Sequence, residues 1–135
     1  MKKTDKRENT MINVVAYARS NSDNQWDKSI DTQVRAIKEY AKKNNLNLVK
    51  IYIDNAKSGT NDNRTNFQEM IEDSKFNKFE QVIVHRLDRF SRKRYDFNQY
   101  EQTLKKNGVV VRSVLENPDG SPKLIITEAI LKGNG

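Results

Sequence analysis

The chain contains no cysteine and only one histidine in 135 residues. The first absence excludes disulfides, thiolate zinc sites and a cysteine nucleophile. The second argues against a histidine-rich metal centre and against any catalytic system that needs two imidazoles. No apolar run approaches the roughly 18 residues that a membrane-spanning helix requires. No secretory signal pattern opens the sequence, and the cytoplasm is the compartment expected.

Charge is what the chain has in excess. Lys and Arg number 25 against 18 Asp and Glu, a net charge of +7, and the pI is about 9.6. Such a balance points to a polyanionic partner, most often nucleic acid. Basic proteins without that partner exist, so the charge sets a direction and decides nothing alone. The length suits one domain with a single core.

The periodicity of apolar residues predicts alternating strands and helices. Residues 1–11 are a polar, charged leader expected to be disordered, with Met11 as an alternative start. Ile12 to Ala18 predicts the first strand. Ser29 to Asn44 predicts a helix, with Ile30, Val34, Ile37 and Ala41 at helical spacing and Ser29 or Asp31 as cap. Leu46 to Ile53 is the second strand, followed by a polar loop, Asp54 to Asn63, that holds Ser58-Gly59. Asn66 to Lys75 is a short helix carrying Phe67, Met70 and Ile71, and Gln81 to His85 is the third strand. Tyr95 to Asn107 is a helix that Asn107-Gly108 stops. Val109 to Leu115 is the fourth strand, and Pro118-Asp119-Gly120 a turn. Ser121 to Gly135 begins a helix and breaks off, as in a chain that continues.

This order implies an α/β fold, a three-layer sandwich with a mostly parallel sheet of four to five strands, in one domain over residues 12–135. Sites in such sheets form beyond the carboxyl ends of the strands. That rule gathers Arg19, then Asp54 and Ser58, then Asp88 and Arg89. Within His85-Arg86-Leu87-Asp88-Arg89-Phe90-Ser91-Arg92, Arg89 and Arg92 share a face if a helical turn begins there. Guanidinium groups present a planar donor fork that fits phosphate oxygens. Arg19 is the hardest to dismiss, because a charge on the inner face of an apolar strand needs a partner or a ligand. The others have plainer readings: Tyr17 as a core aromatic, Asp54 as a turn residue, Gln33 as a solvated helix position, and His85 as a satisfied strand-end residue. Lys93, Arg94, Lys105 and Lys106 read as a solvated face or loose contacts to a DNA backbone.

Four segments, in this order and spacing, resemble the catalytic domain of serine recombinases of the resolvase/invertase family. Within it they are most similar to large serine integrases and conjugative-transposon recombinases. They are Tyr17-Ala18-Arg19; Ser29-Ile30-Asp31-Thr32-Gln33; Tyr52-Ile53-Asp54 with Ser58-Gly59-Thr60 and Arg64; and Leu87-Asp88-Arg89-Phe90-Ser91-Arg92 with Arg94-Tyr95-Asp96. The resemblance implies site-specific recombination of double-stranded DNA through a 5′-phosphoserine link, without metal, ATP or other cofactor. It implies a dimer that synapses into a tetramer. By position, Arg19 binds the scissile phosphate, and Arg89 and Arg92 stabilise its charge and help to activate the attacking hydroxyl. Asp88 orients Arg89 or serves as acid for the leaving oxygen. Gln33 and Ser58 supply hydrogen bonds, Asp54 holds an arginine in place, Arg64 contacts phosphate, and Tyr17 packs below the site. Recognition of a DNA sequence would need further modules beyond Gly135.

One departure matters. The family places its nucleophilic serine two residues after the first arginine, and this chain has Asn21 there, in Arg19-Ser20-Asn21-Ser22. Asparagine has no hydroxyl to attack with. In an extended segment Tyr17, Arg19 and Asn21 share one face, and Ser20 and Ser22 the other. Either the domain is silent, binding DNA or pairing with an active partner; or the strand ends early and Ser22 swings into the pocket; or residue 21 is an altered one. Ser22, farther into the loop, is preferred over Ser20 as a substitute. A generic basic α/β nucleic-acid-binding domain is the remaining alternative.

Overall fold

A computed structural model describes residues 11–20, 28–55, 64–91 and 93–117. Residues 1–10 of the leader, Asn21, Ser22, Ser58, Arg92, the turn expected at 118–120 and the last stretch from Ser121 therefore lie outside the described residues. Four strands form the sheet: β1 (Ile12–Arg19), β2 (Leu46–Asp54), β3 (Gln81–Val84) and β4 (Val110–Ser113). Their order is β2-β1-β3-β4 and every pairing is parallel. All four carboxyl ends thus meet at one edge. β1 is central and buried from Val14 to Ala18, which explains its unbroken apolar run where a half-exposed strand would alternate.

The helices are α1 (Lys28–Lys43), α2 (Thr65–Asp73), α3 (Leu87–Phe90) and α4 (Arg94–Lys106). Side chains alternate across β1. Val14 and Ala16, with Ile83, face Ile37, Tyr40 and Ala41 of α1. Val15 and Tyr17, with Val82 and Val84, face Phe67 and Met70 of α2 and Phe97 and Leu104 of α4. The result is the three-layer sandwich that the periodicity predicts. The second face is aromatic. Phe67 meets Tyr17 edge-on at 5.2 Å, Phe90 at 5.2 Å and Tyr100 at 4.8 Å, and Phe90 meets Phe97 at 5.1 Å. Such edge-to-face pairs stabilise beyond their buried area.

Three boundaries differ from the expectation for physical reasons. α1 starts at Lys28, so Ser29 and Asp31 lie inside its first turn, where Asp31 complements the helix dipole. β4 stops at Ser113, because Asn117 folds back onto it: its Oδ1 accepts the Ser113 N–H at 3.0 Å. Leu115, expected in the strand, therefore points outward. β3 stops at Val84, which releases His85 and the arginine segment to turn into α3.

The Asn107-Gly108 stop acts as expected. Gly108 has φ +80°. The Val109 N–H reaches back to Leu104 O at 2.8 Å and the Gly108 N–H to Lys105 O at 2.9 Å, a Schellman closure. A Cβ at Gly108 would meet nothing within 4 Å, so a side chain there acts through the backbone alone. Gly108→Ala should lower stability by about 1–2 kcal/mol, and Gly108→Asn by less, since asparagine tolerates this conformation. Denaturant midpoints of the two variants check this, and equal midpoints would show that the turn carries no strain.

Candidate functional site at the carboxyl edge of the sheet

β1 pairs with β3 only over Val14 to Ala16. It then runs on to Arg19, leaving backbone polar groups without a ladder on that side. Side chains complete it. Gln33 Oε1 accepts the Arg19 N–H at 3.2 Å, and Gln33 Nε2 donates to Arg19 O at 2.9 Å. Arg89 Nη1 donates to the same carbonyl at 3.1 Å. Gln33 is 1% exposed, so it is not a solvated helix position: its amide replaces a strand. On the other side Ser20 N–H bonds Asp54 O at 3.1 Å. This lies between β1 and β3, where the strand order reverses direction, the place where open α/β sheets build their sites.

Asp54 ends β2 opposite Arg19 and is buried. Its carboxylate accepts the Tyr17 hydroxyl at 2.8 Å, the Asn66 N–H at 3.0 Å and the Phe67 N–H at 2.9 Å. Arg64, at the N-cap of α2, supplies no side-chain cap, and Asp54 caps the helix from a distance of ten residues in sequence. The Tyr17 hydroxyl in turn accepts Arg64 Nε at 3.2 Å, and Arg64 Nη2 donates to Phe90 O at 2.5 Å. The Arg64 guanidinium stacks on Phe67 at 3.6 Å. It is 7% exposed, and what it holds is the end of α3. Asp54 reaches this arginine through Tyr17, and Tyr17 packs below the edge as a core aromatic with a polar handle.

The remaining expected residues that the structure describes, Asp88 and Arg89, sit on α3. Leu87 and Phe90 are buried anchors, which leaves Asp88 and Arg89 to face the edge. Asp88 Oδ2 lies 3.4 Å from Arg86 Nη2, and its Oδ1 is buried without a hydrogen-bond partner among the described residues. Burial, then the charges of Arg86 and Arg89, lower the His85 pKa below its ordinary value. Among the described residues no cluster of His, Asp and Glu could hold a metal ion, and no helix is long and apolar enough to cross a membrane. The structure thus brings Arg19, Gln33, Asp88 and Arg89 to one edge, with Tyr17, Asp54 and Arg64 beneath them. The capping by Asp54 escaped the sequence reading. Its signal was a helix start with arginine where a capping residue belongs.

Burial pushes the Tyr17 phenol well above the usual tyrosine range; Asp54 adds to this and Arg64 opposes it. Tyr52 is raised likewise, by burial and by Asp73, to which it donates at 2.6 Å. Both phenols stay protonated in the fold and ionise near pH ~10 once unfolded. Their stabilisation is therefore complete below about pH 10 and is lost as pH rises above it. Phenolate absorbance should show that Tyr17 and Tyr52 ionise only on alkaline unfolding. Tyr17→Phe should remove one of them and cost about 1.5–3 kcal/mol at neutral pH, because two charged groups lose a partner.

Comparison with known proteins places this arrangement. The family model "Resolvase, N terminal domain" matches residues 14–130. No curated protein matches the chain, but solved structures do. The N-terminal catalytic domain of TP901-1 integrase is 28% identical, with 90% of this chain and 92% of that one covered and a TM-score of 0.71. A resolvase family site-specific recombinase from Streptococcus pneumoniae is 29% identical over 90% of this chain and 84% of that one, with a TM-score of 0.69. The C-terminal catalytic domain of ISC1926 TnpA, an IS607-like serine recombinase, shares the fold at 23% identity and a TM-score of 0.67, with 90% and 78% covered. With most of its length matched by that family model, and with the parallel sheet and arginine-bearing edge described above, the chain belongs to the resolvase family of serine recombinases.

Proposed function

We propose that this domain acts in site-specific recombination by cutting and rejoining double-stranded DNA at the edge where β1 and β3 diverge. The observation that carries the reading is the junction at Arg19, where the Arg89 guanidinium and the Gln33 amide meet one backbone carbonyl. That junction sets the Arg89 guanidinium against the backbone of Arg19 at the end of β1. In this reading a phosphodiester at the edge meets Arg19 and Arg89, and Arg92 is assigned to the same phosphate. Preorganised guanidinium groups do here what Mg²⁺ does in other phosphoryl transfers. The net charge of +7 supplies the attraction to DNA.

The attacking group in this proposal is the Ser22 hydroxyl. Asn21 offers none, and Ser20 is fully buried. The serine oxygen forms a bond to phosphorus as the P–O3′ bond breaks, and the serine proton passes to the departing O3′ by way of the site. Asp88, whose Oδ1 is unengaged among the described residues, is the candidate to relay it. The bond energy stays in the phosphoserine, so religation reverses the step without a cofactor. The working species is a dimer that synapses into a tetramer. The second reading, favoured by Asn21 itself, is a silent domain that binds DNA or pairs with an active partner.

A suicide DNA substrate carrying the cognate crossover site separates the two. A covalent adduct on a denaturing gel that disappears in Ser22→Ala establishes the first reading. No adduct from the native chain, with one from Asn21→Ser, establishes the second. If neither protein forms an adduct on a verified site, the domain is not a recombinase of this mechanism. In whichever protein forms the adduct, Arg89→Ala should slow it by about 10²–10³-fold, the loss typical of one transition-state donor.

A further inference from the structure

Helix α3 is only four residues long, too short to hold itself. Its N-cap position, Arg86, is extended and gives no side-chain cap. The first helical N–H, that of Leu87, donates instead to Glu116 Oε1 at 3.1 Å, across 29 residues of sequence. Glu116 belongs to the turn after β4 and has no part in the roles assigned so far.

That turn is itself fastened. The Ser113 hydroxyl donates to Glu116 Oε1 and accepts the Glu116 N–H at 2.8 Å. The Asn117 N–H bonds Ser113 O at 2.9 Å and the Leu115 N–H bonds His85 O at 3.2 Å. Tyr40 of α1 donates its hydroxyl to Asn117 O at 2.6 Å. Glu116 is therefore presented by a fixed support tied to β4, to the end of β3 and to α1. At the opposite end of α3, Arg64 takes the Phe90 carbonyl. A carboxylate thus sits at the positive end of the helix and a guanidinium at its negative end, the arrangement that favours the helix at both termini. Arg89 projects from between them, its N–H on Arg86 O at 3.0 Å.

We propose that Glu116 is a positioning residue for Arg89. By capping α3 it sets the height from which the guanidinium reaches the Arg19 carbonyl, and it touches no reacting atom. The inference rests on the recombinase reading for its consequence, and on the geometry alone for the contact.

Amide hydrogen exchange in the native chain, in Glu116→Gln and in Glu116→Ala tests the contact. Glu116→Ala should speed exchange at Leu87, Arg89 and Ser91 by about tenfold or more, the loss expected for a hydrogen bond to a charged group. Exchange at Val14–Ala16 and Val82–Val84 should not change. Glu116→Gln, which keeps an acceptor oxygen, should restore most of the protection. Acceleration spread evenly over the sheet, or none at all, overturns the proposal. In an adduct-forming protein, Glu116→Ala should slow adduct formation at saturating DNA by about tenfold while the half-saturating DNA concentration stays fixed. A rise in that concentration instead would make Glu116 a binding group and overturn the positioning role. If no variant forms an adduct, the recombinase reading fails, and the exchange pattern still decides whether Glu116 holds the helix.

Discussion

The carboxylate of Asp54 is the constraint on which the edge depends. A buried carboxylate is tolerable only when its oxygens are fully paired. Asp54 finds three donors, and they come from β1 and from two successive amides at the start of α2. One residue at the end of β2 therefore fixes the strand beside it and the helix that follows. Because the donors are aimed by backbone geometry, the hub specifies a register as well as adding stability. A slip of one residue in β1 would move Tyr17 to the α1 face and leave the carboxylate short of a partner.

From that hub a chain of bonds runs outward to the carboxyl edge of the sheet. Tyr17 receives Arg64, Arg64 holds Phe90, and Phe90 closes the helix that carries Arg89. Stacking on Phe67 offsets part of the cost of burying the Arg64 charge. The same aromatic face that makes the core thus makes room for an arginine inside it. Stability and function are joined here: loosening the hub displaces Arg89 without touching it.

Much of this was legible in the sequence. The apolar runs of β1, β2 and β3 gave the sheet, and the rule that sites gather at carboxyl ends brought Arg19, Asp54, Asp88 and Arg89 together from three separate segments. What stayed hidden is the direction of individual side chains. Gln33 looks like any polar helix residue until the sheet is assembled, because its task depends on β1 outrunning β3 by three residues. Arg64, expected by resemblance to contact phosphate, is instead buried against the aromatic cluster. Leu115 fits a strand by propensity, but two local bonds between Ser113 and Asn117 end the strand first. These outcomes are set by contacts 14 to 47 residues apart or by competing local bonds, and no pattern within a single element records them.

The frame also bears on the meaning of Asn21. Among the described residues, Gln33, Asp54, Tyr17 and Arg64 are held by bonds between strands, helices and backbone carbonyls, and none of those bonds involves residue 21. The frame beneath the edge is therefore separable from the nucleophile that the proposed function requires. For the proposed function, asparagine at residue 21 withholds the attacking oxygen and leaves this frame in place. That independence is what makes both a relocated nucleophile and a silent, DNA-holding domain physically sound outcomes for the same edge. It also explains why the arginines alone, however well ordered, identify the reaction's electrostatics and not its chemistry.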